Sequence, residues 1–400
     1  MTLMQLPRVK IQFLNGLLGT VGESPDGLLA LICGASAVDG KLALNTVYTL
    51  RSVDDLAALG VTEANNGKLY KNVKEYYDEA ESGTKLIVYP VATTTKATDI
   101  CDYTKTAAGY ARHLITSQNG SLRGIFVAGV NISSSTTSTN GLDPDVFTAL
   151  PKAQQLAEWA TTEMYAPLFI GIEGRNYDAG KELKSLSEEK YNRVCVVVGD
   201  TVSGSKDAAV GTLMGRIASI PVQRNIGRVK DGSLFPTEMF IGTSKVDESA
   251  NVVASIFEKG YIVPRKYVGR SGYFWADDPM ACEPTDDYAH ITNRRVIDKA
   301  YRIAYDTMLE ELLDEIDLNE DGTMQHAVVK SWQQTLENAI NRQMTANGEL
   351  SATDGEGCQV YIDEKQNVVS TSKIVVTLKV RPHGYSRYID VNLGFQVANA

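Results

Sequence analysis

Apolar positions along this chain follow two rhythms. In LLALICGA, KLIVYPV, GIFVAGV, PLFIGI and RVCVVVG, between Leu28 and Gly199, they follow one another without alternating, and turn residues bound each run. Such runs predict strands covered on both faces, as in a parallel sheet between helices. Helices are predicted near residues 66–82, 145–163, 179–190 and 206–219, so this part reads as an α/β unit with a mainly parallel sheet.

After Pro221 the style becomes α+β. VDESANVVASIFEKG predicts a helix with Asp247 near its cap, and YIVPRKYVGRSGYFWAD two strands around Gly269 and Gly272. Thr285 is placed to cap a long helix running to about Ile316, with Ile297, Ala300, Tyr301, Ala304, Met308 and Leu312 at helical spacing. A second helix is predicted over residues 324–346.

Strict alternation appears near both ends. Val9, Ile11 and Phe13 alternate with Arg8, Lys10 and Gln12; Ile374, Val376, Leu378 and Val380 form a second such face. In SRYIDVNLGFQV, Ile389, Val391, Leu393, Phe395 and Val397 form a third. Burying that last face yields roughly 8–15 kcal/mol gross, against a backbone ordering cost on the order of 10–20 kcal/mol. A strand so balanced needs a sheet edge to pair with. The periodicity leaves open whether that edge lies in the same molecule or in a neighbour.

Length and charge narrow the classes. Four hundred residues exceed one ordinary core and suggest two units. The net charge of −10, with no basic stripe, argues against nucleic acid and anionic membranes as partners. The N-terminal sequence lacks the apolar core of a secretion signal, and no apolar run is long enough to span a bilayer. Five cysteines lie far apart without CxxC spacing and read as free thiols.

Candidate chemistry is weak throughout. VCVVVGDTVSGSKDAAVG runs a strand into a Gly-rich loop, yet Ser205 intervenes before Lys206 and Asp207 stands where a P-loop needs Ser or Thr. Asp317, Asn319, Asp321 and Gly322 copy half of a calcium loop, but Val328 replaces the bidentate Glu. Cys282 with His290 matches no known nucleophilic signature; the acidic pairs Asp277/Asp278 and Asp286/Asp287 could suggest acid/base work, but the second suits the first turn of the helix after Thr285. Asp298 and Arg302 are spaced for a helix pair on a solvated or interface face of NRRVIDKAYR. No catalytic residue, cofactor or metal is expected; a P-loop-like nucleotide-binding α/β enzyme is the alternative.

Three blocks carry a resemblance: LPRVKIQFLNGLLGTVGESPDGLLALI, AAVGTLMGRIASIPVQRNIGRVKDG and YFWADDPMACEPTDDYAHITNRRVIDKAYRIAYD. Together they resemble the contractile tail sheath proteins of bacteriophages, a family shared with R-type bacteriocins and other contractile injection systems. The resemblance implies a structural subunit that polymerises around a tail tube as stacked hexameric rings and contracts to drive the tube through a cell envelope. It divides the chain into an N-terminal arm (1–25), an α/β outer domain (26–235), an α+β inner domain facing the tube (236–385) and a C-terminal arm (386–400). It implies that Val9, Ile11 and Phe13, and Ile389, Val391, Leu393 and Phe395, are strands donated to neighbouring copies. The receiving sheet would include Ile374, Val376, Leu378 and Val380. Adjacent subunits, a tube protein, baseplate and tail terminator are the implied partners, and Glu311, Asp314 and Glu315 the candidates for touching the tube. The implied location is a virion tail, assembled in the bacterial host cytoplasm.

Overall fold

The structure, a computed structural model, describes residues 25–130, 140–391 and 393. Its centre is a six-stranded sheet of β1 (Leu29–Ala35), β2 (Tyr48–Leu50), β3 (Leu86–Ala92), β4 (Gly124–Ala128), β5 (Phe169–Glu173) and β6 (Val194–Val197), in the order β2-β3-β1-β4-β5-β6. Every pairing is parallel except that of β2 with β3. The non-alternating runs are the parallel strands, and β1, β4, β5 and β6 are buried along their whole length.

Helices α1 (Glu63–Glu79), α2 (Pro144–Thr162) and α3 (Val210–Ser219) cover the sheet. Thr62 and Asn65 start α1 with reciprocal side-chain-to-backbone bonds. α1 and α3 pack closely because Gly211 and Gly215 carry no side chain: a Cβ on Gly211 would stand 2.1 Å from the Asn72 carbonyl oxygen. The helix predicted over 179–190 is absent. Its amides bond to distant carbonyls instead, Lys184 to Asn140 and Leu186 to Lys259, so tertiary pairing overrides a favourable helical composition.

One apolar core runs from Leu29 to Ile291, so residues 236–291 pack with the α/β body. They contribute the helix Ala250–Glu258 and the small antiparallel pair Pro264–Arg265 with Phe274–Trp275. Asp247 does not cap that helix; it accepts a bond from the Tyr273 hydroxyl at 2.9 Å.

Beyond Ile291 lie α4 (Ile291–Leu309), α5 (His326–Ile340) and a hairpin of β7 (Cys358–Ile362) and β8 (Val376–Val380), which enclose two smaller apolar clusters. α4 starts six residues after Thr285. Asp278, from outside the helix, accepts the Thr292 amide at 2.7 Å and satisfies one of its unpaired N–H groups. The helix ends at Leu309, short of Ile316.

The charged face of α4 is also not solvated. Arg294, Arg295 and Asp298 are all buried against the α/β body. Asp298 pairs with Arg193 at 3.2 Å and Arg294 at 3.5 Å, not with Arg302, whose guanidinium donates to the Pro167 carbonyl. Arg295 donates to the Ile220 carbonyl at 3.0 Å, and Lys299 bridges Asp26 and Glu349. Charges buried this way persist only when paired, so these bonds join α4 to the sheet.

Candidate assembly interface

The β7–β8 hairpin has an edge on β7 that α5 meets at Val360 and an open edge on β8. The Arg381 amide donates to the Gly357 carbonyl at 2.8 Å, which fixes the alternation of the ladder. By that alternation Val360 on β7, and Val376, Leu378 and Val380 on β8, turn their backbone groups outward. On β7 these are met by α5: Glu337 accepts the Val360 amide at 2.8 Å, and Gln333 donates to its carbonyl at 3.3 Å. Among the described residues no group outside the hairpin bonds to the outward backbone of Val376, Leu378 or Val380. Their side chains pack against apolar clusters, so the edge lies over an apolar floor. Ile374 lies just before β8 and is half-buried in the same region.

After β8 the chain crosses the body along a short series of contacts. His383 Nε2 donates to the Gly348 carbonyl at 3.0 Å, and the Tyr385 hydroxyl to the Gln223 carbonyl at 2.5 Å. Arg387 then reaches a buried acidic site: its Nε donates to Asp277 at 2.6 Å, and a terminal nitrogen lies 3.8 Å from Asp278. Asn225 donates to both carboxylates, and His290 Nδ1 stands 3.0 Å from Asp278. Burial alone would raise both carboxyls. A side-chain bond with Asp278 and one from Arg387 outweigh it at Asp277, holding that group below its ordinary value. At Asp278, burial and the neighbouring Asp277 charge prevail and push the group up.

Past Arg387 the described residues make no strand. Tyr388, Ile389, Val391 and Leu393 are 76–96 % exposed, although three of them are large aliphatic side chains. An apolar ribbon thus begins where the Arg387 anchor ends. Val9, Ile11, Phe13, Phe395 and Val397 lie outside the described residues. Sequence reasoning missed Tyr385, Arg387 and Asp277 as anchors, since nothing local marks an arginine whose partner is far away in the chain.

The other candidates separate cleanly. Glu311, Asp314 and Glu315 lie in an irregular loop after α4. The P-loop-like turn is filled by the protein itself: Glu173 accepts the Ala208 amide at 3.1 Å, and Asn72 accepts the Gly211 amide at 3.0 Å. Donors that would cradle phosphate at the start of α3 are therefore taken. In the 317–324 turn, Asn319 donates to Thr323 and Met324, while Asp321 accepts from Thr323, so these side chains brace the turn. Cys282 is a buried thiol pushed up to about 12 by burial, and His290 faces Asp278 instead. All five cysteines are free. No helix among the described residues is long and apolar enough to cross a membrane.

The whole architecture has solved counterparts. A chain of the anti-feeding prophage baseplate, six-fold symmetrised, superposes with a TM-score of 0.63 at 14 % identity, over 99 % of this chain and 100 % of that one. The sheath complex of the extracellular contractile injection system PVC, in the contracted state, gives 0.59 at 14 % identity, over 99 % of each chain. The sheath tail protein of Desulfitobacterium hafniense gives 0.52 at 12 % identity, over 93 % of this chain and 99 % of that one. No curated protein matches in sequence. The N-terminal domain of the DUF2586 family matches residues 6–279 and its C-terminal domain residues 287–400, a division close to the start of α4. Matched from residue 6 to residue 400 apart from that short gap, and sharing the fold of contractile sheath proteins, the chain belongs to the DUF2586 family.

Proposed function

We propose that this protein is a structural subunit of a contractile sheath. Copies would polymerise around a tube as stacked hexameric rings, then rotate and pack more tightly to shorten the sheath and drive the tube through an envelope. One observation carries the reading: the exposed apolar side chains of Tyr388, Ile389, Val391 and Leu393 occur in the same chain as an open, apolar-floored edge on β8. The ribbon of one copy would pair with the β8 edge of the next, its alternate side chains covering apolar surface. Val9, Ile11 and Phe13 would form the second donated strand. The unit built around α4, α5 and the hairpin would face the tube, and baseplate and terminator would bind the sheath ends. The sheath-protein fold supports this reading over the whole chain. It needs no nucleotide, in keeping with the filled turn at Glu173.

The test is electron microscopy of the purified protein and of a form ending at residue 387, which keeps the bond from Arg387 to Asp277. Tubes or rings from the full chain, and none from the shortened form at unchanged thermal stability, are expected. A shortened form that still builds tubes ends the proposal.

A further inference from the structure

Strand exchange at the two ends leaves a groove on the α/β body unused. Helix Ala250–Glu258 presents Ala250, Ala254 and Phe257 along one wall, and the loop around Val268 forms the other, enclosing about 440 Å³. Val268 is fully exposed at the loop tip. The rim is cationic, with Arg265, Lys266 and Arg270, and an adjoining groove adds Arg224, Arg228 and Lys230. Nearby acids balance only some of them. Asp231 is paired with Arg224 and Arg228, and Asp247 with Lys266 and the Tyr273 hydroxyl. Among the described residues, Arg270 and Lys230 have no ion-pair partner.

The opposite chemistry lies past the end of α4. Leu309, Leu312 and Leu313 are 47 %, 66 % and 96 % exposed, interleaved with Glu310, Glu311, Asp314 and Glu315. No Lys or Arg occurs between Arg302 and Lys330. One face is acidic and apolar, the other basic and apolar, and neither is covered among the described residues.

The two faces cannot meet in one copy. The groove residue Ala276 lies two residues before Asp278, which holds the first turn of α4, while Leu309 ends that helix and Leu312 and Leu313 follow it. A helix of 19 residues separates them, a length of roughly 28 Å. We propose that residues 309–315 of one copy dock into the groove of a second copy, leucines on the apolar floor and carboxylates on Lys266 and Arg270. Such a contact joins different surfaces and therefore propagates from copy to copy. It assigns the acidic loop to a sister subunit rather than to the tube, and deepens the sheath reading by adding a second interface between copies beside that of the terminal strands.

The experiment is a charge swap in the full chain. Glu311→Lys/Asp314→Lys/Glu315→Lys and, separately, Lys266→Glu/Arg270→Glu should each raise the critical concentration for polymerisation about tenfold, since like charges then face each other. Combined, they should return it to near the wild-type value, with melting temperatures unchanged throughout. Loop or groove variants that polymerise as wild type, a combined variant no better than either, or a loop variant that loses only co-assembly with the tube would each overturn the proposal. If the wild type forms no polymer at all, the sheath reading falls on its own. A labelled peptide of residues 307–317 then reads the groove directly: binding abolished by Lys266→Glu/Arg270→Glu upholds the contact, and absence of binding overturns it.

Discussion

Arg387 Nε donates to Asp277 Oδ2 at 2.6 Å, joining residues 110 apart in sequence. The bond sets where the C-terminal ribbon leaves the body. Asp277→Asn should remove the charge that holds Arg387 and loosen the segment from Tyr385 onward. Limited chymotrypsin digestion should then cut after Tyr385 several-fold faster, with little change in melting temperature. Cleavage at the wild-type rate would mean that Tyr385 alone anchors the segment.

Exposed apolar residues of the ribbon should matter for assembly and not for folding. Ile389→Asp or Val391→Asp leaves no internal contact to break, so equilibrium unfolding should shift by less than about 0.5 kcal/mol. Polymer formation, followed by sedimentation, should fall by an order of magnitude or more. The reverse pattern, lost stability with intact polymers, would place these side chains inside their own molecule.

Glu173 makes the α/β body sensitive to pH. Burial, then the nearby Asp207 charge, raise its carboxyl from the ordinary value to about 7, against opposing effects from Arg175 and the Gly129 and Ala208 amides. A raised folded-state value means that the folded chain holds this proton more tightly than the unfolded chain. The resulting stabilisation is complete below about pH 4.5 and is lost as pH rises through about 7. Urea unfolding of wild type against Glu173→Gln, from pH 5 to 8, should show the wild type losing stability relative to the variant as pH increases. A constant difference would mean that the carboxyl titrates normally.

Gly211→Ala tests the α1–α3 contact. Alanine gains about 1 kcal/mol of intrinsic helix propensity, but its methyl would stand 2.1 Å from the Asn72 carbonyl oxygen. Backbone on both sides cannot yield cheaply, so a net loss of about 2–4 kcal/mol is expected in urea unfolding. A stabilised variant would show that the two helices separate easily.

Local patterns revealed most of the sheet. The apolar runs at β1, β3, β4, β5 and β6 need no distant information, because a strand covered on both faces announces itself by composition. What failed depended on partners remote in sequence. The start of α4 is held by Asp278 rather than by Thr285, and the Arg294–Asp298 face is buried because Arg193 and the Ile220 carbonyl await it. Residues 179–190 have a helical composition but spend their amides on Asn140 and Lys259. The alternating ribbon at the C-terminal end was legible as amphipathic, yet its described part is no strand, since a strand also needs a backbone partner. The adjacent acids Asp277 and Asp278 of the site under Arg387 were visible as a pair, but their convergence with residues 225, 290 and 387 had no sequence signal.

The buried charges at the root of α4 have a mechanical consequence. With Arg294, Arg295 and Asp298 fastened to the α/β body, the helix would turn with that body and act as a lever. Over a length of roughly 28 Å, tilting the body by about 10° would swing Leu309 through about 5 Å, comparable to one helical pitch. Small angular steps at the periphery would thus become displacements large enough to exchange one set of side-chain neighbours for another.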